Sequence, residues 1–290
     1  MQSKIKQKNE IARQERVFKI MWLIMPLSIV AILGFALAEI LETRFRLDAG
    51  YAELISALVV APIALYVYKY SVVHKVEQRK GHPSELNFIP RYFFGGLFLS
   101  IIIVAIQLAV ISLFGSVEIT KNDDIYVGLA GAIGIALSAA VTEELLCRGI
   151  IFRFSEKYIG TLLAIAVSAI IFGLPHMFNP DASVWTGVAI GLQGGIMLAL
   201  VFVVTRNLWA TIGVHAGWNF ATIVLGIGGV GMYDTTLSGP EWLTGSKYGL
   251  ENSLVLTGIW LIVSAALYFI AVKHKKIVNM SAAKKQKRPF

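Results

Sequence analysis

The chain has 290 residues, of which 56% are hydrophobic and 15% are charged, and its net charge is +8. About a quarter of the residues in a soluble globular protein are charged, so this composition excludes an ordinary soluble fold and predicts a polytopic membrane protein. The basic run Lys284–Arg288 is not accompanied by a nucleic-acid-binding module, so we expect it to contact anionic lipid rather than nucleic acid.

Eight apolar segments have lengths near the roughly 20 residues that a membrane-spanning helix needs. They predict an all-α membrane protein with eight transmembrane helices at Ile20–Ile40, Ala52–Tyr70, Tyr92–Phe114, Tyr126–Cys147, Tyr158–Phe178, Trp185–Val204, Leu208–Gly226 and Asn252–Val272. We therefore expect one membrane domain at 20–272, between a basic segment at 1–19 and a basic tail at 273–290.

The distribution of basic residues predicts the orientation of this domain. An even number of spans places both termini on one side, and that side receives 22 of the 26 Lys and Arg residues. The other side receives Arg44, Arg46, Lys121 and Lys247. Because Lys and Arg are enriched in cytoplasmic loops, both termini are predicted to be cytoplasmic.

The fourth span carries the pattern Glu143-Glu144-x-x-x-Arg148. A charged side chain at the centre of a membrane costs roughly 2.5–3.5 kcal/mol on insertion scales, so such residues usually pair or act. Glu144 and Arg148 share a helix face and can form an ion pair, whereas Glu143 points about 100° away. Glu143 is thus the freer carboxylate and a candidate general base or acid. A plain ion pair at a helix end is the alternative.

The fifth span ends in Phe172-x-x-x-His176, with Pro175 and Pro180 on either side of the histidine. The spacing places ring and imidazole on one face, and the prolines predict a distorted helix end. Such an end is tolerated at membrane depth only beside protein or a water-filled cavity. A histidine that simply hydrogen-bonds to a neighbouring helix would explain the pattern equally well.

The seventh span contains His215-x-x-x-Asn219, again with both side chains on one face. An imidazole and an amide can both donate hydrogen bonds to a developing oxyanion. Gly213 and Gly217 predict that another backbone approaches closely at this point. Interhelical hydrogen bonding without catalysis is the alternative.

These three motifs, in this order on successive membrane regions, resemble those of the CAAX protease and bacteriocin-processing family, also called CPBP or ABI, which includes the Ras-converting prenyl-protein endopeptidases. The resemblance covers a catalytic core at about 126–220. It implies an eight-helix bundle with a conical cavity and an endopeptidase inside it. It also implies that Glu143 and His176 activate the attacking water and that His215 and Asn219 stabilise the tetrahedral oxyanion.

The resemblance further implies that Glu144 and Arg148 complete the catalytic motif and hold its helix. In simple antiparallel helices, Glu143 and His176 would lie at opposite ends of their spans. Either the fourth helix continues past Arg148 or the fifth is bent or displaced, and we expect His176 to face Glu143.

Two histidines and a glutamate also form a common catalytic zinc set. The chain has no His-Glu-x-x-His segment, which is the usual compact signature of zinc proteases. We therefore expect a glutamate-type protease without a cofactor, with zinc as the alternative. The single cysteine, Cys147, is expected to be a reduced structural thiol.

The sequence thus predicts an intramembrane endopeptidase in a prokaryotic plasma membrane, which cleaves a peptide or a membrane protein near the cytoplasmic interface. No soluble partner is indicated. A non-proteolytic protein for bacteriocin immunity or membrane scaffolding is the main alternative. A transporter is disfavoured, because the polar residues are confined to the fourth, fifth and seventh spans rather than repeated in two halves.

Overall fold

The structure is a computed structural model that describes residues 2–77, 84–122, 128–227 and 231–281. Residues 282–290 of the expected basic tail lie outside the described residues, as does Tyr126, where the fourth span was expected to begin.

The first three helices match the first three predicted spans. They are α1 (Gln2–Thr43), α2 (Ala49–Tyr68) and α3 (Pro90–Phe114). Asp48 caps α2 by accepting hydrogen bonds from the backbone N–H groups of Gly50 and Tyr51. The chain leaves α2 through a π-helical segment, Lys69–Val76. Pro90 starts α3 at a position where its missing N–H costs nothing.

Several of the remaining predicted spans are built from shorter helical pieces. The helices after α3 are α4 (Gly128–Glu144), α5 (Arg153–Ile159), α6 (Thr161–Gly173), α7 (Val184–Ile190), α8 (Ile196–Thr205), α9 (Leu208–Val224), α10 (Glu241–Thr244) and α11 (Leu254–Lys273). A π-helical segment, Leu145–Phe152, joins α4 to α5, and another, Gly191–Gly195, joins α7 to α8. A 3₁₀ segment, Leu174–Phe178, ends α6.

One small sheet accompanies the helices. Strand β1 (Ser116–Lys121) pairs antiparallel with β2 (Tyr233–Ser238), in a register that places Ser116 opposite Ser238 and Lys121 opposite Tyr233. The hydrophobicity pattern did not predict this sheet, because its two strands are mostly exposed and lack the buried face that marks a strand in a sequence.

The fold is therefore that of an all-α polytopic membrane protein. Among the described residues, seven helical stretches are long and apolar enough to cross a membrane. They are Trp22–Thr43, Ala49–Lys75, Pro90–Phe114, Gly128–Ile159, Thr161–Phe178, Val184–Thr205 and Leu254–Lys273. The remaining predicted span is α9, which has 17 residues and is shorter than the usual length of a span. The count of eight and the cytoplasmic termini stay predictions.

The bundle has two distinguishable ends. At one end, which we call the tail end, Arg206 pairs with Glu156, and the Lys276 ammonium donates to the Val204 carbonyl. At the opposite end, which we call the sheet end, the β1–β2 sheet lies together with the loops that follow α6 and precede α11. The Trp185 indole, in the first turn of α7, donates to the Asn252 carbonyl of the segment before α11 at 2.9 Å.

Candidate active site

The first motif lies in the middle of a long helical rod. The span that contains it runs from Gly128 to Ile159 without a break, so Glu143 is far from either end. The fourth helix therefore continues past Arg148, which is the first of the two arrangements that the sequence allowed. This continuation removes the expected mismatch in depth between Glu143 and His176.

Arg148 is completely buried and fully engaged at its guanidinium tips. Its Nη1 donates to Glu144 Oε1 at 2.7 Å, which confirms the predicted ion pair. Its Nη2 donates to the carbonyls of Gly194 and Gly195, both at 3.0 Å. These glycines end the π-helical segment between α7 and α8, and Arg148 itself lies in the segment between α4 and α5. Arg148 thus connects the π-helical segment of one span to the π-helical segment of another.

The Phe172 ring is the centre around which the three motifs meet. Its centroid lies 4.5 Å from the Arg148 guanidinium, 5.4 Å from the His176 ring and 5.7 Å from the His215 ring. A guanidinium over an aromatic face is attracted by the ring quadrupole, and the attraction is stronger where water is excluded. Phe172 therefore positions both histidines by direct contact.

His176 lies in the 3₁₀ segment that ends α6, as the flanking prolines predict. Its Nδ1 is 2.9 Å from the Phe172 carbonyl oxygen. A carbonyl can only accept, so Nδ1 carries the hydrogen and the neutral ring has its lone pair on Nε2. A nitrogen in this state is suited to accept a proton.

His215 lies between the two carboxylates of the first motif. Its Nδ1 is 3.0 Å from Glu144 Oε1, and its Nε2 is 3.9 Å from Glu143 Oε2. Glu144 and the His215 ring are almost completely buried, whereas 38% of the Glu143 side chain is exposed. The freer carboxylate of the motif is therefore also the more accessible one.

Glycines on α9 let this helix pack against the backbone of α3, and this contact, which we call the α3–α9 seam, sets the position of α9. A Cβ atom added to Gly213 or Gly217 would collide with the carbonyl oxygen of Phe93 or Leu97, respectively, on α3. This confirms the close backbone approach that the glycines on either side of His215 predicted. A hydrogen bond also joins the two helices, because the Ser100 hydroxyl on α3 donates to the Val214 carbonyl on α9 at 2.6 Å.

A cavity of about 90 Å³ lies inside the bundle at this point. Four of the six predicted site residues line it: Glu143, His176, His215 and Asn219. Glu144 and Arg148 do not line it, but are buried behind His215 and Phe172. The first four side chains are therefore placed where a ligand could contact them, whereas the other two can affect the cavity only through their neighbours.

Four further side chains with polar atoms line the cavity outside the motifs: Gln193, Trp218, Glu251 and Trp260. The Gln193 amide donates to the Glu251 carbonyl at 2.7 Å and to the Thr257 hydroxyl at 2.8 Å. As a polar residue inside an apolar span, Gln193 could have been found from the sequence. Glu251 lies in a loop at the sheet end and gave no such signal.

A zinc site, considered above as the alternative, would need three ligand side chains directed at one point. Among the residues that the structure describes, no three His, Cys, Asp or Glu side chains come together as a metal site. His215 Nδ1 is occupied by Glu144, which is itself held by Arg148. Glu143 and His176 lie outside these pairs and line the cavity, so the choice between a glutamate-type and a zinc protease stays a prediction.

Fold and site together define a polytopic helical membrane protein with a carboxylate–histidine centre inside the bundle. Residues 125–221 match the model of the Rce1-like family, described as type II CAAX prenyl endopeptidase Rce1-like. The resemblance predicted from the three motifs is thereby confirmed over that part of the chain. A search of the curated proteins finds none that matches this chain.

Proposed function

We propose that this protein is an intramembrane endopeptidase that hydrolyses a peptide bond with water activated by Glu143 and His176, without a metal. The observation that carries the proposal is that Glu143, His176, His215 and Asn219 line one cavity inside the bundle. The substrate class is a peptide or a membrane protein presented within the bilayer. The family match over 125–221 supports this class of reaction.

Glu143 and the Nε2 atom of His176 are the two groups that can accept a proton in the cavity. As the water oxygen bonds to the carbonyl carbon of the substrate, its proton passes to this pair. The same pair returns a proton to the amide nitrogen when the carbon–nitrogen bond breaks. The second proton of the water also passes to the departing nitrogen, so the products are a carboxylate and an ammonium group, and the pair is restored to its starting state.

His215 and Asn219 are placed to stabilise the oxyanion of the tetrahedral intermediate. His215 donates Nδ1–H to Glu144, so it can donate to an oxyanion from Nε2 only as the doubly protonated ring. This form balances the charges of the cluster, because two carboxylates then face one guanidinium and one imidazolium. A buried cluster without net charge is much less costly than one that carries a net charge.

Comparison of peptides from cells that carry the wild-type chain or Glu143→Gln tests the proposal. The substitution keeps the size of the side chain and its ability to hydrogen-bond, but it removes the basic carboxylate. We expect specific membrane or secreted peptides to disappear with Glu143→Gln at an unchanged level of the protein. Loss of one activated group typically costs about 10²–10⁴-fold in rate.

A matched control is Glu118→Gln, because this glutamate lies exposed on β1 and does not line the cavity. We expect its peptides to equal those of the wild type. An unchanged peptide pool with Glu143→Gln would overturn the proposal and favour the non-proteolytic immunity or scaffolding protein.

A further inference from the structure

A second cavity lies at the sheet end, directly beside the catalytic one. Its volume is about 370 Å³, and we call it the vestibule. Its lining is Asn179, Pro180, Asp181, Trp218, Thr222, Ile227, Lys247, Tyr248, Leu250 and Glu251. Trp218 and Glu251 line both cavities, so the vestibule and the catalytic cavity meet at these two side chains.

Glu251 is held in place at this junction. Its Oε1 accepts a hydrogen bond from the Trp218 indole at 2.9 Å, and its backbone carbonyl accepts from the Gln193 amide. Trp218 also packs edge-to-face against Trp260, with ring centroids 6.0 Å apart. A carboxylate anchored in this way keeps its position when a ligand binds, so it can serve as a fixed recognition point.

The vestibule also offers neutral hydrogen-bonding groups that suit a peptide backbone. The Asn179 amide donates to the Tyr248 hydroxyl oxygen at 2.8 Å, which leaves the hydroxyl proton to donate to a ligand. Burial and the neighbouring charge of Glu251 raise the pKa of Tyr248, so its hydroxyl keeps that proton at neutral pH. Tyr248 is therefore a donor for a substrate carbonyl.

We propose that the vestibule binds the polar segment of the substrate that precedes or follows the cleaved bond, and that it favours a basic segment. This inference rests on the proposed proteolytic function. The cavity is large enough for a short stretch of extended peptide and opens onto the catalytic residues. Its charged lining consists of the carboxylates of Asp181 and Glu251 and the ammonium of Lys247, so it attracts cations on balance.

Binding is tested with two fluorescent peptides that share one apolar half, Leu-Val-Ala-Leu, preceded by either three lysines or three glutamates. The full chain in detergent carries Glu143→Gln, so that neither peptide is cleaved during the measurement. We expect the lysine peptide to bind about fivefold more tightly, as two partly exposed ion pairs allow. Adding Glu251→Gln and Asp181→Asn is expected to bring the two dissociation constants together.

The matched control is Glu241→Gln, since Glu241 is exposed at the same end of the bundle but lies outside the vestibule. It should leave the preference for lysine intact. Equal or absent binding of both peptides, or a preference that survives Glu251→Gln and Asp181→Asn, would overturn the inference. Failure of the catalytic proposal looks different, because Glu143→Gln would then leave the cellular peptides unchanged whatever the vestibule binds.

Discussion

At the scale of single residues, Glu144 Oε1 is the atom that joins the first and third motifs. It accepts hydrogen bonds from Arg148 at 2.7 Å and from His215 at 3.0 Å. A carboxylate that holds the second ring nitrogen of a histidine fixes the tautomer and the orientation of the ring. Glu144 therefore positions His215 without lining the cavity itself.

Arg148→Ala is expected to destabilise the protein more than it changes the chemistry of the cavity. It strands the buried Glu144 charge and leaves the carbonyls of Gly194 and Gly195 without their donor, and such losses cost about 3–5 kcal/mol. Thermal or denaturant unfolding in detergent measures the effect.

The double variant Glu144→Gln with Arg148→Met serves as the comparison, because it removes both charges together. We expect it to recover a large part of the stability but not the activity, since His215 loses the carboxylate charge that stabilises its doubly protonated ring. Equal stability of Arg148→Ala and the wild type would show that this ion pair does not hold the bundle together.

The side-chain pairs could be predicted from the sequence because they are local. Residues four apart on a helix meet, so Glu144 with Arg148 and Phe172 with His176 follow from spacing alone. The meeting of Phe172 with Arg148 and His215 depends on tertiary packing, which spacing does not encode. Tertiary packing also brings Glu251 to the cavity from a distant loop, and no pattern in the sequence pointed to it.

At the scale of elements, the contact between α3 and α9 decides where His215 lies. Gly96 and Gly95 are neighbours on α3 but have opposite surroundings. A Cβ atom on Gly96 would lie 2.7 Å from the backbone nitrogen of Val214, whereas a Cβ atom on Gly95 would meet nothing within 4 Å. Replacing each of these two glycines by alanine therefore distinguishes the effect of the close backbone contact from the effect of helix propensity.

Gly96→Ala is expected to push α9 away and to lower cleavage about tenfold or more, because misplacement of catalytic groups by an ångström costs about 10²-fold. Gly95→Ala should leave cleavage unchanged and slightly stabilise α3, since alanine is the better helix former. Rates for the two purified variants on one peptide substrate give the comparison. Similar rates would mean that the α3–α9 seam does not position His215.

At the scale of the whole molecule, the cavity and the vestibule show from which end of the bundle the site is reached. Both reach the sheet end through Glu251, whereas the pairs of Arg206 with Glu156 and Lys276 with Val204 lie at the tail end and line neither cavity. If both termini are cytoplasmic, as the basic residues predict, the vestibule opens on the outer face of the membrane. The substrate segment that it binds would then be outside the cytoplasm.

Thiol labelling in intact cells measures this orientation. The only native cysteine, Cys147, is buried, so the wild-type chain is a suitable blank. A membrane-impermeant maleimide is expected to label Lys247→Cys at the sheet end and not Lys273→Cys at the tail end. The reverse pattern would place the termini outside and the vestibule in the cytoplasm.

The hydrogen bonds from Arg148 to the carbonyls of Gly194 and Gly195 decide which substitutions this side of the site can accept. A partner made only of main-chain atoms is specified by shape and not by side-chain identity. Cβ atoms at these two positions would lie 2.9 Å from the Phe172 ring and 2.7 Å from the Ala169 backbone, so the volume of a side chain limits what can stand there. The sixth predicted span can therefore form one side of the candidate active site although none of its residues belongs to the three motifs.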